Sequence, residues 1–192
     1  MATADDILTP VYLRLRDVSR TATTAAHALA ILSNAQRALN IHYRSVLQTT
    51  TLTTVSGTTL YAVDANLPLI AKVERVQEGT RDLPALTPEK LWFHDKNWLS
   101  ATTAGDFLAW APIGRELIAV YPSKAGSVNV TGPKQLAALT VIGDTLSIQD
   151  QHLGTLEDML ELEMSYRLRL FEAFQGAQQR LNAKLKVTQA QK

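Results

Sequence analysis

The hydrophobic positions of this chain change period twice along its 192 residues. Near the start, Ile7, Val11, Leu15 and Val18 recur at steps of three and four. That spacing predicts a short helix from Asp5 to about Asp17, with Thr3 or Ala4 near its start and Pro10 in its first turns. A polar link, SRTATT, follows. From Ala25 to Leu47 the residues Ala28, Leu29, Leu32, Ala35, Leu39, Tyr43 and Val46 form one stripe, with Arg37, Asn40 and Arg44 turned away. This is a second helix, with Thr24 as its N-cap.

The period then falls to two. The stretch TTTLTTVSGTTLYAV, Thr49 to Val63, is rich in β-branched residues and broken by Ser56-Gly57, so it predicts two strands around a turn. LIAKVERVQEG continues the alternation until Gly79 closes it. RDLPALTPEKLWFHDKNW reads as a loop with one helical turn begun by Pro88, whose missing N–H costs little there. LAWAPIGRELIAVYP carries apolar runs either side of Pro-Ile-Gly-Arg and predicts a hairpin. SVNVTG, and LTVIGDTLSI with Gly143-Asp144 at a turn, bring the total to roughly six to eight short strands, enough for a small antiparallel sandwich or barrel.

From Asp150 to about Val187 the helical period returns. Leu156, Leu160, Met164, Leu168, Phe171, Phe174, Leu181 and Leu185 line one face, and Met159, Leu162, Tyr166, Leu170 and Ala173 widen it. So wide an apolar surface needs cover on two sides, from its own chain or from a neighbouring subunit. Glu163 and Arg167 fall inside that face at ion-pair spacing, either as a pair at the edge of a core or as an intersubunit pair. Past Gly176, Arg180, Lys184, Lys186 and Lys192 with no acid make a basic, amphipathic, extending tail. The fold class is therefore α+β: a helical bundle of residues 1–48 and 150–192 around an inserted β domain of residues 49–149.

Composition removes more function classes than it adds. The chain is 46% hydrophobic and 19% charged, with a formal charge of +1 and no cysteine. It has no overall pull toward nucleic acid or an anionic membrane, and no thiolate chemistry. Its first residues do not read as a secretory signal, and no segment approaches the roughly 20 apolar residues that span a bilayer. No phosphate loop, dinucleotide turn, nucleophile elbow or zinc helix occurs. The four histidines are scattered. His94-Asp95 between Trp92 and Trp98 is the one polar and aromatic cluster resembling a pocket rim, and it reads better as packing than as catalysis. The acids Glu157, Asp158, Glu161 and Glu163 need only the helix dipole to explain them. No metal, cofactor or catalytic group is expected.

The order of parts, with TLTTVSGTTLYAV, the WAPIGRELIAVYP hairpin, VTGPKQLAALTVIGDTLSI and the long last helix, resembles the head-to-tail adaptor (connector) proteins of tailed bacteriophages. The resemblance covers nearly the whole chain and rests on soft patterns of Gly, Tyr and Pro between strands. It implies a virion structural protein, made in the bacterial cytoplasm and placed in the neck between capsid and tail. It also implies a homo-oligomeric ring of twelve copies that binds the portal protein and a tail or nozzle protein, while DNA passes through its channel without specific binding. Carried onto this chain, portal binding would use Arg180, Leu181, Lys184, Leu185 and Lys186 within Ala177–Lys192. Tail docking would use Trp110, Ile113 and Arg115. From their place in the apolar face, and not from the resemblance, Glu163 and Arg167 are the expected subunit interface. Two rival readings remain. One is a small-barrel nucleic-acid-binding module, which would need a basic, aromatic strand face. The other is an uncommon hydrolase using the loop from Arg81 to Trp98.

Overall fold

A computed structural model describes residues 2–17, 20, 22–100 and 106–190, with the backbone alone for 187–190. Val18 of the first stripe and Lys192 of the basic tail lie outside the described residues. The protein is α+β and divides into two compact units, one of residues 1–45 and 136–192, the other of residues 46–135.

In the first unit, α1 spans Ala4–Arg14 and α2 spans Ala25–Tyr43. The start of α1 is fixed by Asp6, whose carboxylate accepts from both the N–H (2.7 Å) and the hydroxyl (2.8 Å) of Thr3. Thr24 caps α2 by accepting from the His27 N–H. The expected stripe is buried at Ala28, Leu29, Leu32, Ala35 and Leu39, but Asn40 is also fully buried and does not face solvent. Both helices end earlier than their periodicity suggested. α1 stops at Arg14, where Arg16 takes φ 57° and the N–H groups of Arg16 and Asp17 donate back to the carbonyls of Leu13 and Tyr12. α2 stops at Arg44, φ 54°.

The long last helix is in fact two. A short 3₁₀ turn at Asp150–His152 leads into α5, Leu153–Arg167, and α6 follows over Phe171–Ala190. Arg169 sits at φ 58° between them, with its N–H donating to Tyr166 C=O and the Leu170 N–H to Ser165 C=O. This closes α5 as a Schellman motif with arginine where glycine is usual. α6 then runs back along α5, as the ring contact between Tyr166 and Phe174 and the pairing of Asp158 with Arg180 show. The two-sided cover that α5 requires comes from α1, α2 and α6 of its own chain. LTVIGDTLSI also departs from expectation. It forms no strand, bridging only at Thr145 to Thr3, and belongs to this unit, although the pattern placed it in the β insert. Leu136 and Ala137 carbonyls accept from Arg37 and Gln36, the Leu139 N–H donates to Ser33 Oγ, and the carbonyls of Ile142 and Asp144 accept the first free N–H groups of α1.

The second unit holds two antiparallel sheets. Its strands are β1 (Leu47–Thr54), β2 (Leu60–Ala62), β3 (Arg75–Glu78), β4 (Arg81–Asp82), β5 (Ala109–Ile113), β6 (Leu117–Tyr121) and β7 (Gly126–Pro133), with α3 at Val63–Asn66 and α4 at Pro88–His94. The orders are β1-β7-β3-β4 and β2-β6-β5. β5 and β6 are the predicted hairpin, turning at Gly114 with φ 65°. β1 and β2 do not pair around Ser56-Gly57, because β1 joins β7 and β2 joins β6. The alternating run LIAKVERVQEG becomes a strand only from Arg75. Pro88 opens α4, capped by Thr87. Side chains of both sheets share one apolar cluster that includes Leu52, Val76, Val130, Tyr61, Trp110 and Ile118.

Gly132 is the most closely approached glycine of the unit. A Cβ there would lie 1.9 Å from the Lys72 carbonyl oxygen, so backbone would have to move. Gly132→Ala is expected to cost about 1–3 kcal/mol or more. Gly143→Ala, with nothing within 4 Å, should be nearly silent. Urea unfolding of the two variants checks this, and equal midpoints would refute the close approach.

Candidate functional site

The strongest concentration of charge lies in the helical unit, on the face of α5 turned toward α1 and α6. Asp158 and Glu161 stand one turn apart with side chains only 4% and 5% exposed. Acids so buried need partners. Arg180 on α6 reaches both, Nε to Asp158 at 2.9 Å and Nη2 to Glu161 at 2.7 Å. Lys184, one turn further on, donates to the Asp158 carboxylate and to the Gly154 carbonyl (2.7 Å). From the other side Arg14 of α1 lies 2.7 Å from Glu161 Oε2, in charge contact without the alignment of a hydrogen bond, and bonds Glu157 at 3.0 Å. Hydrogen bonds to Asp158 and then Glu161 hold the Arg180 guanidinium above its ordinary pKa. The cluster ties α1, α5 and α6 together.

On another face of the same unit, α2, α5 and α6 border an open groove of about 390 Å³, lined by Ile31, Asn34, Ala35, Ala38, Met159, Leu162 and Leu181 with Glu163 and Arg167. Arg167 Nε pairs with Glu163 at 2.9 Å, and its Nη1 lies 2.9 Å from His27 Nε2. Both side chains are nearly half exposed, so the pair belongs to the groove and not to the core. Tyr166 and Phe171, at the turn between α5 and α6, are 69% and 75% exposed.

A family model described as SU10 adaptor protein matches residues 2–192. The chain belongs to the SU10 adaptor protein family. No curated protein matches it. Membership bears out the resemblance to phage adaptors read from the order of parts, and makes this SU10-family chain a phage structural adaptor.

Several site residues expected of the adaptor are placed differently. The basic stretch after Gly176 is not a free extension, since Arg180 and Lys184 are engaged with buried acids. Leu181 and Leu185 are half-buried on α6, and Lys186 is exposed. Trp110 is 4% exposed in the core of the β unit and presents no docking surface. Ile113 is half-buried against a second apolar cluster, and Arg115 is exposed in the turn after Gly114. The three therefore do not meet on one surface. In the Arg81–Trp98 loop the polar groups serve packing: the Tyr121 hydroxyl donates to Asp95 (3.1 Å), the His94 ring meets Tyr121 edge-on, and Arg75 grips Asp82 at 2.6 and 2.8 Å. Among the described residues no three His, Cys, Asp or Glu side chains gather as metal ligands, and no helix is long and apolar enough to cross a membrane. The buried acids Asp158 and Glu161 were missed as a site. Their signal was the matching i, i+4 pair Arg180 and Lys184, which becomes visible only once α5 and α6 are separate helices.

Proposed function

We propose that this adaptor forms a ring, of twelve copies as in the resembling head-to-tail adaptors, that joins the portal to the tail and surrounds the path of the exiting DNA. The match over residues 2–192 carries the reading. Its physical support is that the helical unit presents two unlike surfaces, the groove rimmed by Glu163 and Arg167 and the exposed Tyr166–Phe171 turn. A head-to-tail ring needs two different faces, each meeting its counterpart on the next subunit. Portal contact would fall on α6 at half-buried Leu185 and exposed Lys186, with half-buried Leu181 shared with the groove and Arg180 and Lys184 held back by their ion pairs. Ile113 and Arg115 at the β5–β6 tip would meet the tail, while Trp110 stiffens the hairpin from within. Particles carrying Ile113→Ser with Arg115→Ser are expected to be filled but tailless, and normal tails on them would exclude that surface.

Measuring the mass of the purified chain, alone and with its portal protein, tests the ring. A defined ring is the expected result, and a monomer under both conditions would end the reading. Glu163→Ala and Arg167→Ala should weaken the ring while changing the subunit's own stability by less than about 1 kcal/mol, because the pair is solvent-exposed. Variants that assemble normally but melt much earlier would place the pair inside the subunit fold.

A further inference from the structure

The two sheets of the β unit end in four outer edges, and among the described residues three of them are short or covered. β4 has two residues and β2 three. β5 is met by the chain at Pro84–Leu86, where Leu86 N–H donates to Trp110 C=O (2.8 Å) and Trp110 N–H to Pro84 C=O (3.1 Å). β1 differs from them all. It is eight residues long, pairs one-to-one with β7 without a bulge, and contains no charged residue and no proline. Natural sheets blunt a long edge with lysine, proline, a bulge or a covering loop, because an open row of N–H and C=O groups captures strands. Among the described residues none of these devices is used on β1.

The register shows which groups lie open. Lys134 N–H donates to Val46 C=O at 2.8 Å, so the even-numbered residues of β1 face β7 in an antiparallel ladder. Pro133, which has no N–H to give, accordingly stands opposite Leu47. The N–H and C=O groups of Leu47, Thr49, Thr51 and Thr53 point away from the sheet. The Gln48 side-chain amide donates to the outward Thr49 carbonyl at 3.0 Å, which leaves that oxygen one lone pair for a docked strand.

We propose that this edge is a strand-docking site, taking an extended segment of a second, non-identical protein of the particle by backbone pairing. The chain has no other open edge of matching length among its described residues. Another copy that brought its own sheet edge could therefore only pair β1 with β1, about a two-fold axis that closes at two subunits. A head-to-tail ring leaves no place for that closure, and to this extent the occupant's identity rests on the ring reading above. The chemistry of β1 defines the occupant further. Thr49, Thr51 and Thr53 line the exposed face, and Thr49 and Thr51 already pair their hydroxyls with Thr131 Oγ1 (2.8 Å) and Asn129 Oδ1 (3.1 Å). Such a surface favours hydroxyl-bearing and β-branched neighbours and offers no charge pairing. The occupant is an extended, uncharged segment rich in Ser, Thr and Val.

Proline at an outward position removes one open N–H and no bond of the β1–β7 ladder, and edge strands accept proline at such positions. Thr51→Pro is expected to keep the fold and ring mass of the unaltered protein, with only a small drop in melting temperature from the lost exposed bond to Asn129. Completed particles should fall about tenfold or more, a loss of one backbone bond with added steric block. Thr50→Pro, which faces β7, should unfold the unit. A second measurement needs no variant. Amide exchange at Leu47, Thr49, Thr51 and Thr53 should be about tenfold slower or more in intact particles than in the isolated chain, with the even-numbered amides unchanged. Full particle yield with folded Thr51→Pro, or equally fast exchange of the outward amides in particles, overturns the proposal. A solution dimer abolished by Thr51→Pro, or a folded variant that loses ring mass, assigns the edge to another copy and overturns it too. If the unaltered protein forms no ring, the ring reading fails by itself and the exchange measurement still decides the edge.

Discussion

Alanine at both Leu160 and Met164 is expected to unfold the helical unit. Both side chains are fully buried on α5, the helix that α1, α2 and α6 all cover. Each truncation removes apolar contact and leaves a cavity that close-packed neighbours fill only partly, at about 2–5 kcal/mol apiece. The residues are one turn apart and share neighbours, so the double loss will not be a strict sum. Even the lower end, about 4 kcal/mol, rivals the net stability of an ordinary domain. Circular dichroism with urea titration checks this. A double variant that keeps its helical content and loses less than about 2 kcal/mol would show that α5 is not the central helix of its unit.

Alanine at Arg180 and Lys184 is expected to cost about 2–4 kcal/mol, less than the roughly 3–5 kcal/mol of severing a fully buried pair. The discount arises because the two cations are 45% and 42% exposed and water already screens them. What remains is the penalty of Asp158 and Glu161 left charged in a site they cannot leave. Neutralising the acids as well, by Asp158→Asn with Glu161→Gln, should therefore recover part of the loss. Unchanged stability in the first variant, or no recovery in the fourfold one, would show the cluster to be incidental. Deleting Ala177–Lys192 should be worse than either, since it also removes fully buried Ala177 and half-buried Leu181. Loss of portal binding in that truncation would thus report a damaged subunit as well as a missing contact, and the point variants are the cleaner probe.

The helices were legible because burial follows the 3.6-residue stripe, from Ala28 to Leu39 and from Leu156 to Met164. Their ends were not, and the three misreadings share one cause. Helices usually signal a left-handed end with glycine, which pays no steric penalty there. Here Arg16, Arg44 and Arg169 hold those positions at φ 57°, 54° and 58°. Arginine is a good helix former, so the periodicity ran on through each stop and fused α5 to α6. Strand pairing was hidden for another reason. Alternation marks which face of TTTLTTV is buried, but the partner of β1 is β7, more than seventy residues later by the register Thr54↔Gly126. Local pattern carries no information about so distant a neighbour. Trp110 became a docking residue only by carrying the resembling family's tail-facing β domain onto the hairpin, whereas the strand sends it into the core.

The second unit is one unbroken segment, residues 46–135, while the first is assembled from the chain on either side of it. At the junction the incoming and outgoing strands are already bonded to each other, Lys134 N–H to Val46 C=O. A segment whose two ends meet in this way can be exchanged as a cassette, since a replacement of any length that brings its own ends together leaves the helices with the same gap to close. Selection on what the β unit meets can then proceed by transplantation between related genomes, with the surfaces that the helical unit offers left untouched.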